Sequence, residues 1–293
     1  MSIKETQQTV QKPRKGGGEK PQVSRDSLHG WYLACLGAAA DLKPLAANLQ
    51  VEGMSTDKCQ TVDAAGIAAI VSRVPLSEYG EDQLSANLGK LEWLADRAAR
   101  HERIVQTFAA QASVVPLRFG TIFLSQDSVE AFIRDNQASI SAMIDRLRGK
   151  EEWGLEVHVN RETLLAAVEK RSSSVRELGE RVARAAPGQA YLLGKSLESL
   201  KQQAARDEVR RLLDAIASRM PYHSVDLGLP KFGADRKELA GRFAFLVDRD
   251  QFETFRCLTE NLAADFQALG LTIELAGPLP PYSFVDRLEA DAG

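Results

Sequence analysis

The chain has 293 residues, 44% hydrophobic and 26% charged, an ordinary globular mixture that excludes fibrous and membrane-spanning classes. With 37 Lys and Arg against 40 Asp and Glu, the formal charge is −3, so the bulk of the chain predicts neither a nucleic-acid nor an anionic-membrane partner. Cys35, Cys59 and Cys257 lack any C-x-x-C spacing, as a reducing compartment permits, and the expected location is the cytoplasm.

Residues 1–27 carry Lys4, Lys12, Arg14, Lys15, Lys20 and Arg25 against Glu5, Glu19 and Asp26, with glycines at 16–18. So little apolar surface cannot offset the entropy of ordering, and a disordered basic tail is expected, either a solvated arm or a weak binder of acidic surfaces. Only Met1, Ile3, Val10 and Val23 are apolar there, which gives no secretory signal. The longest apolar runs elsewhere, such as Ile67 to Val71, fall far short of the ~18 residues that cross a bilayer.

Order is expected from Gly30, where Trp31 to Leu36 forms a short apolar run suited to a strand. Cys59 to Val62 and Ile67 to Val74 flank a tight connection ending in Gly66, the pattern of an antiparallel hairpin. From Gln83 the period changes: Leu84, Leu88, Leu91 and Leu94, then Ile104, Val105 and Phe108, predict one long helix or two abutting ones. Val114 to Leu124 returns to strand character, but Pro116 and Gly120 predict a bend or an edge. Val129, Phe132, Ile133, Ile140, Met143, Ile144 and Leu147 then line one helix ending at Gly149.

The second half begins with a strand at Leu155 to Val159 and a short helix at Arg161 to Arg171. A long charged helix follows Pro187-Gly188, marked by Leu197, Leu200, Leu212 and Ile216. Tyr222 to Leu227 and Arg242 to Val247 read as strands, Phe252 to Leu269 as a helix, and Thr272 to Leu275 as the last strand. Ala276 to Val285, with Pro278, Pro280 and Pro281, is expected to leave that strand as a stiff extended segment. The fold class is therefore α+β in two domains, 28–150 and 151–293. The first is a smaller antiparallel sheet with long helices; the second is ferredoxin-like, a βαββαβ antiparallel sheet with helices on one face.

A search for chemistry finds no catalytic constellation. His29, His101, His158 and His223 are not spaced as ligand pairs, and His101-Glu102 lacks the second His of a zinc helix because position 105 is Val. Gly188 to Ser196 misses the phosphate-loop spacing by one residue and reads as the start of a helix. No G-x-G-x-x-G follows the first strand and no G-x-S-x-G occurs. Neither a cofactor nor a metal is expected. His101 reads as a surface or domain-interface residue. Arg118 reads either as an anion clamp or as a salt bridge tying the two domains. Tyr282 and Phe284 either staple the C-terminal segment to the fold or present a docking surface.

Five motifs recur together: His101-Glu102, PLRFGT with Arg118 and Phe119, Glu152-Trp153, GxAYL at Gly188 to Leu192, and GPLPPYSF with Pro280, Pro281, Tyr282 and Phe284. In that order the chain resembles the gas vesicle protein F/L (GvpF/GvpL) family from about Trp31 to Val285. Two positions depart from the family pattern: Leu279 stands where Trp is common, and Glu156 where Lys is common. The resemblance implies a non-enzymatic accessory protein of gas vesicle assembly with a two-domain α+β fold. Its partners would be the major small shell protein and other accessory gas vesicle proteins, and it would act either as a chaperone during nucleation or as a minor wall component. The other reading kept open is a small-ligand-binding or enzymatic α+β protein.

Overall fold

The computed structural model describes residues 28–220, 222–226, 239–285 and 288; the expected tail, 1–27, and Leu227 lie outside them. The first half is built on β1 (His29–Ala38), flanked on one side by the hairpin of β2 (Gln60–Ala64) and β3 (Ile67–Pro75). The two-residue turn of that hairpin puts both Ala65 and Gly66 at positive φ, matching the right-handed twist of the strands. On the other side of β1 lie β4 (Val114–Pro116) and β5 (Ile122–Phe123). The run from Val114 to Leu124 is thus two short strands broken at Arg118–Gly120, with Gly120 at φ +88°. Because of that break, among the described residues the first sheet has five strands against four in the second, and is not the smaller of the two.

A β-bulge between Leu33 and Cys35 re-aims the side chains of β1. Leu33 and Leu36 join one core face, while Tyr32, Ala34 and Cys35 join the other. The second face is covered by α1 (Ala39–Leu49) and α4 (Leu91–Ala109), and α2 (Leu76–Tyr79) and α3 (Glu81–Leu88) precede α4. The period beginning at Gln83 is therefore broken at Gly89. The first face is covered by α5 (Gln126–Asp135) and α6 (Gln137–Leu147). The single helix expected between Val129 and Leu147 is thus two helices. Asn136 interrupts it with φ −103° and ψ 10°, and its backbone N–H and side-chain amide both donate to the Phe132 carbonyl, at 3.1 and 3.0 Å, closing the first helix.

Gly149, at φ +70°, turns the chain into β6 (Lys150–Val159). Then come α7 (Arg161–Arg171), α8 (Ser173–Arg184), α9 (Pro187–Arg219), β7 (His223–Asp226), β8 (Leu239–Asp248), α10 (Phe252–Gln267) and β9 (Leu271–Leu279). The strands pair antiparallel in the order β7-β8-β6-β9. Pro187 opens α9 from its first turn, where a missing N–H costs nothing, so the Gly188 to Ser196 stretch is helix. Odd-numbered residues of β6 and β8, such as Leu155, Val157, Phe243 and Phe245, pack under the helices; Ala244 and Leu246 point the other way, into the core of the first half.

The last strand does not end at Leu275. β9 runs on to Leu279, pairing Ala276 with Gly154 and Leu279 with Glu152 across a bulge. As an edge strand it tolerates Pro278, whose missing N–H falls where no ladder partner is needed. This extension carries the chain beside Glu152 and delivers Pro280 to Phe284 onto the first half.

Candidate functional site

Residues 101, 102, 119, 152 and 280–284, far apart in sequence, meet where the two halves join. The second half of α4 is strongly amphipathic, and its buried face presents His101, 4% exposed, together with Ile104, Val105 and Phe108. The Tyr32 hydroxyl lies 2.9 Å from His101 Nδ1, and the Tyr282 hydroxyl 2.9 Å from Nε2. His101 is thus buried at the junction rather than placed on the surface.

The Gly120 N–H also donates to the Tyr32 hydroxyl at 3.2 Å. A neutral imidazole has one donor and one acceptor nitrogen, and each faces a hydroxyl able to take either role, so both are partnered with the ring uncharged. Burial pulls the His101 pKa down to about 4, with a backbone bond to Leu117 opposing. Burial also pushes the Tyr32 and Tyr282 hydroxyls well above the usual phenol range, Tyr282 helped by the nearby Glu102 charge. Edge-to-face contacts of His101 with Tyr32 and Phe119, and of Phe119 with Trp93, enclose the ring.

Beside this chain lies a second anchor. Glu152, 5% exposed, accepts from the Ser283 N–H at 3.0 Å and the Ser283 hydroxyl at 2.7 Å. Burial raises its pKa despite those bonds, and the nearby Glu102 charge adds to the shift. Phe284 is 4% exposed within the core shared by α5, α6 and β8, and its carbonyl accepts a bond from Arg146. Trp153 stacks on Phe252 with ring centroids 4.2 Å apart and closes against Gly277, where a Cβ would stand 2.7 Å from the indole. Pro280 is buried, and Pro281 opens the 3₁₀ turn that aims Tyr282 and Phe284 inward.

Phe284, being buried, is therefore not available as a docking surface. Arg118 stands apart: it is exposed, and its guanidinium forms neither an anion clamp with a described partner nor a salt bridge across the junction. That tie is made by Arg249, which bonds the Ala109 carbonyl at 3.2 Å and pairs with Glu151 at 3.2 Å. Arg118 instead contributes its carbonyl, which accepts from the Thr121 hydroxyl at 2.8 Å and shapes the turn below Gly120. Tyr32 and Ser283 each make two of these hydrogen bonds, and no sequence signal singled them out beyond Tyr32's place in a strand and Ser283's place beside Tyr282.

Around this junction runs a cleft of about 370 Å³, lined by Gln106, Ser113, Lys150, Glu151, Pro278 and Pro280 among others. Cys35 and Cys59 are buried thiols with raised pKa values, unsuited to nucleophilic work. Among the described residues, one set has metal-ligating geometry, Glu156, His158 and Glu274, on the second sheet. No helix among the described residues is long and apolar enough to cross a membrane.

Comparison with known proteins places this architecture. The chain is 26% identical over 236 residues to gas vesicle protein L of Streptomyces sp. (strain CB03234), covering 77% of this chain and 82% of that one. The crystal structure of gas vesicle protein GvpF from Microcystis aeruginosa superposes with a TM-score of 0.59 at 15% identity, covering 88% of this chain and 99% of that one. That of GvpF from Anabaena sp. PCC7120 gives 0.62 at 14% identity, covering 88% and 97%. The family model described as gas vesicle synthesis protein GvpL/GvpF matches residues 30–286, and the chain belongs to that family.

Proposed function

We propose that this protein is a non-enzymatic accessory factor of gas vesicle assembly that binds the small shell protein, alone or with other gas vesicle proteins, during nucleation. The family match from residue 30 to 286 is the observation that carries this reading. A shell protein with one apolar face must keep it covered before polymerising, because exposed apolar patches and open strand edges aggregate. We further infer that the chain works as two domains, 28–150 and 151–293, clamped by the Pro280–Phe284 segment, and acts in the cytoplasm at the growing vesicle.

The contact surface is assigned to the first half. Leu28 (47% exposed), Leu88 (44%), Leu91 (80%) and Leu124 (68%) are large apolar side chains left open to solvent. Leu28 lies beside α2 and the start of α3, and the neighbouring turn of α3 packs Leu84 against Gly120, next to Arg118. Exposed leucines together with the exposed Arg118 side chain suit an amphipathic partner bearing a carboxylate.

The test is a pull-down of the purified full-length chain with the small shell protein of its own cluster, repeated with Leu91→Ser, with Arg118→Ala and without residues 1–27. Binding by the full chain that weakens in the Leu91 and Arg118 variants supports the reading. Binding to other gas vesicle proteins but not to the shell protein overturns the surface-covering role, and binding lost only with the tail overturns the assigned surface.

A further inference from the structure

The end of the second sheet farthest from the domain junction carries a polar cluster that the assembly role does not use. Glu156 and His158 alternate on β6 and so project from the same face, and the register sets Glu274 of β9 directly opposite Glu156. Glu156 Oε2 lies 3.4 Å and Glu274 Oε2 3.7 Å from His158 Nε2, and the three ligand atoms fall within 4.8 Å of one another. Both separations are longer than the roughly 2.7–3.2 Å of an N–H···O bond. They approach the edge of a tetrahedron, about 3.3–3.5 Å, drawn around an ion held at zinc–nitrogen and zinc–oxygen distances.

The surroundings suit an ion. Arg242 Nε holds Glu156 Oε1 at 3.0 Å, which fixes that carboxylate and leaves Oε2 turned toward His158, as an outer-shell partner does. The His158 side chain is 13% exposed and rigidly placed on the central strand, whereas Glu274 is 61% exposed and free to swing the last fraction of an ångström. One imidazole with two carboxylates is a donor set for a borderline divalent cation rather than for calcium or magnesium, which take oxygen alone.

We propose that Glu156, His158 and Glu274 form a zinc-class divalent-cation site that clips edge strand β9 to central strand β6. β9 is the strand that delivers Tyr282 and Phe284 to the first half, so the ion would reinforce the element on which the interdomain clasp hangs.

The probe is cobalt(II), titrated into the full-length chain carrying Cys257→Ser to remove the one exposed thiol among the described residues. One equivalent should raise the intense visible absorption of tetrahedral cobalt, zinc(II) should displace it, and zinc should raise Tm by mass action. Glu274→Gln, a conservative change at an exposed position that keeps the fold by circular dichroism, should weaken binding at least about tenfold, and His158→Ala should abolish the absorption. Absence of both the absorption and the Tm shift at about 0.1 mM metal overturns the proposal, as does binding that survives unchanged in both variants.

Discussion

His101 and His158 are the same side chain in opposite company. His101 lies among Tyr32, Phe119 and Tyr282, with both nitrogens spoken for by hydroxyls and a pKa near 4. His158 lies between two carboxylates, Glu156 at 3.4 Å and Glu274 at 3.7 Å, with its side chain 13% exposed. A ring kept neutral by burial and bonded by hydroxyls is a joint, whereas a ring facing two carboxylates, one of them also held by Arg242, is where the cation site is proposed. What separates them is the polarity of the neighbours, and each prediction below tests whether the first region is a joint and nothing more.

The largest effect should come from the residue that seats the clasp. Phe284→Ala empties a buried ring position against α5, α6 and β8, and should cost about 3–5 kcal/mol of stability, read as a fall in urea midpoint. A loss below about 1 kcal/mol would mean the segment merely rests on the core. Glu274→Gln, in the other region, should stay within about 0.5 kcal/mol in the absence of metal.

The next effect is electrostatic. Because the folded-state pKa of His101 lies near 4, below the ordinary 6.5, the unfolded chain takes up the proton first. The contribution of neutral His101 is therefore complete above about pH 6.5 and is lost as pH falls toward 4, for a total of about 3 kcal/mol. Glu102 and Glu152, whose pKa values are raised, act in the opposite sense, favouring the folded state as pH falls. The His101 share is isolated by His101→Gln, whose stability should fall less between pH 6.5 and 4; equal slopes in both proteins would remove His101 from the joint. A smaller loss, about 1–3 kcal/mol at neutral pH, is expected from Tyr282→Phe, which leaves the buried His101 Nε2 without its hydroxyl partner.

Much of the frame was legible in the sequence because apolar period is a local property. β1, the β2–β3 hairpin, α7, α10 and β8 follow their patterns to within a few residues. α1 escaped because Ala-rich ADLKPLAANL with Pro44 inside shows no periodic stripe, and α8 because its charges mask a single buried Val175. The α5–α6 break falls at one asparagine, which binary patterning does not register. The motif residues were readable as a set, but not their meeting: 181 positions separate His101 from Tyr282, and only the bulge in β9 and the turn at Pro281 bring them to 2.9 Å. The Glu156–His158–Glu274 set was hidden for the same reason, since its third member comes from a strand 116 positions away and no ligand-pair spacing announces it.

Arg118 gives the smallest expected effect on the fold and so the sharpest division between joint and surface. Its side chain is exposed and forms no ion pair with a described residue, and its structural contribution is a backbone carbonyl that any residue supplies. Arg118→Ala should therefore leave stability within about 0.5 kcal/mol of the parent, and the His101 pH profile unchanged. If the exposed leucines of the first half and this guanidinium together receive the shell protein, the same substitution should weaken that binding about tenfold, mostly in the dissociation rate. A variant as stable as the parent and equal to it in binding would detach Arg118 from the contact surface. A variant that loses stability would mean that the guanidinium, and not only the carbonyl of the turn, belongs to the joint around His101.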